Sequence, residues 1–208
     1  HATAVSREDL YPILESAEMA KTHSTSGRVP KALAKLKAGK PMRIVCWGDS
    51  VTSGGNASSP DMAYVRQFER RLKERFPKAP IEVLNVSYGG SASVQWLRMP
   101  PSADFASKTD PAVVAQIDFE RIAAAKPDLV TLEFVNDSGL RRPDLEAAYA
   151  RILERLRGMD SELILITPHF TAPFMMKVES LRGEECRPYV AFLYELAEKE
   201  RLAVADLD

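Results

Sequence analysis

Ile44-Val45-Cys46-Trp47-Gly48-Asp49-Ser50-Val51-Thr52-Ser53-Gly54-Gly55 is an apolar run that stops at a glycine and passes directly into small and polar residues. A strand buried on both faces reads as a nearly continuous apolar run, the pattern of a parallel sheet covered by helices. Runs of the same kind are Met42 to Trp47, Ile81 to Val86, Asp128 to Phe134, Glu162 to Thr167 and Leu202 to Ala205. Each is bounded by Pro, Gly or charged residues, so five strands are expected. Between them, Asp61 to Phe76, Ala112 to Ala125, Asp144 to Arg157 and Pro188 to Arg201 carry apolar residues at helical spacing, as in Tyr64, Phe68, Leu72 and Phe76. Asp110-Pro111 and Arg142-Pro143 put proline at or near a helix's first turn. The alternation predicts an α/β protein with a five-stranded parallel sheet in a three-layer, flavodoxin-like α/β/α sandwich.

Ahead of the first strand, Arg7 to Ala20 reads as a helix with Ser6 as its cap, and Lys31 to Ala38 as a shorter one. Residues 1–40 are therefore expected to be an N-terminal helical appendage, and 41–208 the main domain. The 208 residues are 45% hydrophobic and 27% charged, which excludes disordered, collagenous and disulfide-scaffold classes. Such a length suits one domain with a sizeable core. Lys plus Arg number 28 against 29 Asp plus Glu, a net charge of −1 with neither sign in a long block, and this argues against nucleic acid as a partner. The basic stretch Arg66, Arg70, Arg71, Lys73, Arg75 is interleaved with Glu69 and Glu74 and reads as a solvated helix face.

Leu129 to Leu132 and Leu163 to Ile166 are far shorter than the roughly 20 residues needed to cross a bilayer, so no membrane span is expected. From His1 there is no charged n-region followed by an apolar h-region; a leader is expected to have been removed or never to have existed, and the compartment stays open between cytoplasmic and secreted. Cys46 and Cys186 cannot by themselves form a four-ligand zinc site, and Cys46, inside its apolar run, reads as a small buried hydrophobe. The carboxylates Glu179, Glu184 and Glu185 with Cys186 lack metal-ligand spacing and read as solvent-exposed, so no metal is expected.

In open α/β sheets the working site lies beyond the carboxyl ends of the strands. The residues there are Gly48-Asp49-Ser50, Ser87-Tyr88-Gly89-Gly90, Val135-Asn136-Asp137, Pro168-His169-Phe170 and Asp206-Leu207-Asp208. Ser50 is thus presented at a sharp strand-to-loop turn, the place for a nucleophile. The following glycines match neither G-x-x-x-x-G-K-[ST] nor G-x-G-x-x-G, which disfavours a phosphate cradle. Two long stretches, Arg98 to Thr109 and Phe170 to Arg187, follow strand ends and are candidate lids or substrate walls. Phe170, Phe174, Met175 and Met176 would line an acyl or sugar pocket or simply pack the loop.

Gly48-Asp49-Ser50, Asn85-Val86-Ser87-Tyr88-Gly89-Gly90 and Asn136-Asp137, in that order along the chain, resemble the first three blocks of the SGNH (GDSL-like) hydrolase superfamily. The resemblance implies the SGNH hydrolase fold, with Ser50 as nucleophile. It also implies an oxyanion hole formed by the backbone N–H groups of Ser50 and Gly90 and the side-chain amide of Asn136. Such donors suit acyl transfer, where negative charge develops on a carbonyl oxygen. Asp49 and Asp137 are expected to brace their loops.

The sequence departs from the family's pattern at two places. Phe134 stands where the third block usually has glycine, and no D-x-x-H follows the fifth strand. The main domain is therefore expected to lack its C-terminal Asp-x-x-His segment, the chain being a fragment or processed piece, or a second chain supplying the histidine. A serine hydroxyl needs an adjacent base. His1 and His23 lie in the appendage; His169, on the correct edge, stays open between pocket wall, structural residue and substitute base. Asp206 and Asp208 are expected to end the last strand and bind loop amides rather than to complete a triad. Of the sequons at Asn56, Asn85 and Asn136, two coincide with the proposed blocks, which leaves Asn56 as acceptor.

The expected function is a serine ester hydrolase acting on small acyl esters, with acetylated carbohydrate favoured by the resemblance. Such an enzyme would need no cofactor. The alternatives are a non-catalytic SGNH-like carbohydrate-binding domain and a flavodoxin-like phosphate or nucleotide binder. Partners are then a small-molecule or carbohydrate ester; the oligomeric state is left open.

Overall fold

The computed structural model describes residues 28–55, 57–100, 111–168 and 183–206. The helix expected at Arg7 to Ala20, His1, His23, Asn56, His169, Phe170, Phe174, Met175, Met176, Glu179 and Asp208 lie outside them.

Five strands form one sheet in the order β2-β1-β3-β4-β5. They are β1 (Met42–Gly48), β2 (Ile81–Ser87), β3 (Leu129–Glu133), β4 (Glu162–Ile166) and β5 (Ala203–Ala205), and every pairing is parallel. The predicted α/β architecture is the observed one. The helices are α1 (Pro30–Lys37), α2 (Tyr64–Arg75), α3 (Ser93–Trp96), α4 (Pro111–Val114), α5 (Glu120–Ala125), α6 (Arg142–Gly158) and α7 (Gly183–Glu200).

Alternation along the strands builds two cores. Val45, Trp47, Val130, Leu132, Leu163 and Leu165 face one side and pack with residues of α3, α5, α6 and α7. Met42, Ile44, Leu129 and Ile164 face the other, against Ala32 and Leu36 of α1 and Phe68 and Leu72 of α2. The first core centres on Trp47, fully buried, with Trp96, Phe119 and Phe134 edge-on at centroid distances of 5.8, 5.4 and 5.5 Å. Helix α1, expected in the appendage, is part of the second core, and Glu162 caps its start by accepting from the N–H groups of Lys31 (3.0 Å) and Ala32 (2.7 Å).

Three helices differ from expectation. The single helix expected at Ala112 to Ala125 is two short ones, because the Asp118 carboxylate takes the Glu120 N–H (3.1 Å) and the Phe119 N–H turns to the Trp96 carbonyl (2.8 Å). The segment Asp61 to Phe76 opens with a 3-10 turn at Pro60–Met62, and α2 starts only after Ala63, whose backbone is extended (ψ 138°). Helix α7 begins at Gly183, so that Pro188 lies inside it rather than at its start.

The register levels the strand ends. Gly48 of β1 stands opposite Ser87 of β2 and Glu133 of β3. Chain connections leave β1 toward β2 on one side and enter β3 on the other, so the β1 and β3 ends form the topological switch point where such sheets place their sites.

Candidate active site

Gly48 ends β1 with no room for a side chain. A Cβ there would collide with the Thr52 side chain and the Glu133 carbonyl. The next residue, Asp49, is fully buried, and Ser50 follows, partly exposed, at the turn. The loop is closed by bonds from Ser53 N–H to Asp49 O (2.9 Å) and from Gly55 N–H to Ser50 O (2.7 Å). These hold the Ser50 backbone against the end of the sheet.

Beyond β2, the Tyr88 N–H donates to Gly48 O (3.1 Å), which draws the next loop over the Ser50 turn. A Cβ on Gly89 would stand 3.7 Å from that of Ser50. Gly90 has φ +79°, a left-handed backbone that glycine adopts without strain. The loop is stiffened from within, since the Ser91 hydroxyl donates to Tyr88 O (2.7 Å) and accepts from the Trp96 indole N–H (3.0 Å).

Beyond β3, Val135–Gly139 forms a 3-10 turn carrying Asn136 and Asp137. The Asn136 side-chain amide donates to Asp49 Oδ2 (2.8 Å) and to Ser91 O (3.2 Å), and its backbone N–H donates to the same Asp49 oxygen (3.1 Å). The three predicted site residues, Ser50, Gly90 and Asn136, thus sit on loops that touch one another at a single edge.

Beneath the edge lie three buried carboxylates. Asp49 accepts from the Val51 N–H as well (3.0 Å); burial pushes its pKa up to about 6, against the pull of these donors. Glu133 accepts from the Val135 N–H (3.1 Å) and the Thr52 hydroxyl (3.0 Å), the latter also 2.9 Å from the Tyr64 hydroxyl. Burial first, then the negative charge of Asp49, pushes Glu133 well above the usual carboxylate range. Asp137 accepts from the Ser93 N–H (2.8 Å) and the Tyr149 hydroxyl (3.1 Å), and burial raises it to about 7.

The sequence reading did not single out Glu133, Thr52, Tyr64, Tyr149 or Tyr189. Glu133 had a signal: it is a lone acid in an otherwise uncharged strand, Leu129–Glu133, buried along its whole length. Asp206 accepts from the hydroxyls of Thr167 (2.8 Å) and Tyr194 (2.7 Å). Cys46 is buried, as read, and burial pushes its thiol up to about 11. Among the described residues no group of three or more His, Cys, Asp or Glu is arranged to hold a metal ion, and no helix is long and apolar enough to cross a membrane.

The family model for the GDSL-like Lipase/Acylhydrolase family matches residues 46–208. The fold is similar to that of a two-domain esterase active on acetylated mannans (22% identity, TM-score 0.54, covering 84% of this chain and 45% of that one). It is also similar to an acetylxylan esterase of Geobacillus stearothermophilus (18%, TM-score 0.56, 79% and 75%). A third likeness is to an alpha/beta hydrolase from the metagenome of Lake Arreo, Spain (20%, TM-score 0.55, 79% and 76%). The chain therefore spans less than half the length of the two-domain esterase. No curated protein sequence matches it.

Proposed function

Because the chain belongs to the GDSL-like lipase/acylhydrolase family, we propose that it is a serine ester hydrolase with Ser50 as nucleophile and acetylated carbohydrate as its substrate class. The observation that carries the reading is the meeting of the Ser50, Gly89-Gly90 and Asn136 loops at one strand edge.

In this reading Ser50 Oγ attacks the acyl carbon, and the carbonyl oxygen takes up negative charge among the N–H groups of Ser50 and Gly90 and the Asn136 amide. Collapse of the adduct expels the alcohol, and water then releases the acid from Ser50. Each preorganised donor contributes about 3 to 4 kcal/mol to the transition state. In the free chain both Asn136 amide protons are engaged, on Asp49 Oδ2 and Ser91 O, and on this reading the longer bond, to Ser91 O at 3.2 Å, is the one exchanged for the oxyanion when substrate binds. The base that takes the Ser50 proton comes, on this reading, from outside the described residues, where His169 also lies. Catalytic mutants of the G. stearothermophilus acetylxylan esterase replace a histidine and an aspartate by alanine. The sugar preference is drawn from the esterases of similar fold, named for acetylated mannan and xylan.

Fluorophosphonate labelling of the purified chain, read by intact mass, tests the reading, because the reagent reports an activated serine whatever the substrate. Rapid single labelling that disappears in Ser50→Ala is the expected result. Absence of labelling, together with retained affinity for acetylated oligosaccharide, would make the chain a carbohydrate-binding domain instead.

A further inference from the structure

Asp137 is fully buried, and its two carboxylate oxygens point to different elements. Oδ1 accepts from the Ser93 N–H at 2.8 Å, at the start of α3; Oδ2 accepts from the Tyr149 hydroxyl of α6 at 3.1 Å. The Tyr149 oxygen lies 2.5 Å from the hydroxyl of Tyr189 on α7. A backbone N–H can only donate, so Oδ1 must accept. Tyr149 has a single hydroxyl proton, which reaches Asp137 when Tyr189 gives its own proton to the Tyr149 oxygen. The row Tyr189, Tyr149, Asp137, Ser93 then runs in one donor direction up to the carboxylate.

What hangs from its end is the loop that carries Gly90. Within that loop, Ser91 is held to Tyr88 and Trp96, and the Ala92 N–H to the Gln95 side chain at 2.8 Å, so residues 88–96 move as one piece. Two side chains of the β3 turn fasten this piece: Asn136, through the 3.2 Å bond to Ser91 O, and Asp137, through the shorter bond to Ser93. The spacing between the Gly90 N–H and the Asn136 amide, the two donors on different loops, is therefore set where Asp137 grips Ser93.

We propose that Asp137 is a positioning residue for the oxyanion donors, and that Tyr149, oriented by Tyr189, holds it in place from the opposite side of the core. The proposal rests on the esterase reading of the site for its catalytic consequence, but its structural part does not. Asp137 does not touch substrate; it acts through Ser93 and the loop.

The test compares Tyr149→Phe and Tyr189→Phe with the wild type in aryl acetate hydrolysis, in the rate of fluorophosphonate labelling at Ser50, and in the amide NMR signals of Gly90 and Ser93. Both variants keep the aromatic ring in the core. Misplacing a reacting geometry by about 1 Å costs up to about a hundredfold. Tyr149→Phe is expected to lower kcat and the labelling rate about tenfold with KM within about twofold. Tyr189→Phe should follow in the same direction but less, since Tyr149 can still donate without it. The Gly90 and Ser93 amide signals should move in the same order. A kcat within twofold of wild type, a rise in KM at constant kcat, or unmoved Gly90 and Ser93 signals in a folded Tyr149→Phe chain would overturn the proposal. If the wild type neither labels nor turns over, the esterase reading fails, and the amide signals alone decide whether Asp137 positions the loop. Should Tyr149→Phe not fold, Tyr189→Phe carries the same comparison.

Discussion

The backbone and side-chain N–H groups of Asn136 converge on one carboxylate oxygen of Asp49, at 3.1 and 2.8 Å. Asp49 thereby joins the residue before Ser50 to the turn after β3, while its other oxygen takes the Val51 N–H at 3.0 Å. Asp49→Ala removes the acceptor of three donors at once. Leaving buried donors unpaired costs about 1 to 3 kcal/mol apiece in the worst case, so a loss of about 3 kcal/mol is expected, read as a lower urea midpoint. Asp49→Asn should recover less than half of that loss. Its amide turns a donor toward one set of N–H groups whichever way it is placed.

Gly48→Ala is expected to be strongly destabilising for a single-methyl change. The new Cβ meets the Thr52 side chain and the backbone carbonyl of Glu133, and backbone at a sheet centre has little freedom to yield. Overpacking of this kind costs about 1 to 3 kcal/mol and sometimes more. A thermal melt of whatever soluble protein is recovered gives the value; an unchanged melting temperature would mean that the β1 end is wider than described.

Stability should fall as pH rises through the weakly acid range. Burial raises Asp49 from 3.8 to about 6 and Asp137 from 3.8 to about 7, and raises Glu133 well above its ordinary 4.5. Between their ordinary and raised values the folded chain binds more protons than the unfolded one, so each pH step favours unfolding, by up to about 1.4 kcal/mol per unit per group. Below this window two carboxylates with lowered values act in the opposite sense. The Glu69 carboxylate is held below its ordinary value by Lys73 and Arg66, and that of Asp118 by the Glu120 N–H and Arg98; both lose their contribution as pH falls through their lowered values. Urea midpoints taken from about pH 4.5 to 7.5 should decline. A flat profile would refute the raised values.

Trp47 offers a contrast between two substitutions. Its indole N–H is buried without a hydrogen-bond partner among the described residues, while its ring meets three aromatic neighbours. Trp47→Ala should cost about 3 to 5 kcal/mol by emptying the centre of the first core. Trp47→Phe removes the unpaired donor and keeps much of the ring contact, so it should cost less than half as much. Chemical denaturation followed by circular dichroism measures both.

The strands and their order of use were legible because burial on both faces leaves an uninterrupted apolar record, as in Ile44 to Trp47 and Leu163 to Ile166. The family blocks were legible for a related reason: small residues at strand ends stand out against such runs. What escaped reading depends on contacts between distant segments. Nothing near Ala115 announces that Asp118 will cap a new helix and that Phe119 will bond to Trp96, which is what divides the expected helix. Tyr149 and Tyr189 read as ordinary apolar positions of helices. Only the packing of α6 on α7, where Arg142 also pairs with Glu195 at 2.6 Å, brings their hydroxyls together.

The placement of β1 between β2 and β3 also bears on assembly during synthesis. Ile44 waits for Leu129 before its strand is flanked on both sides, and such non-local pairing is slow because the entropy of closing the long loop between them is lost before the contact forms. Ser50, Gly90 and Asn136 are nevertheless all made before Tyr189 leaves the ribosome. The nascent chain can therefore bring these strand-end loops together while α7 is still being translated, and the hydroxyl row behind Asp137 is completed afterwards. A newborn chain would pass through a stage in which the serine is placed but the surrounding loop is not yet fastened.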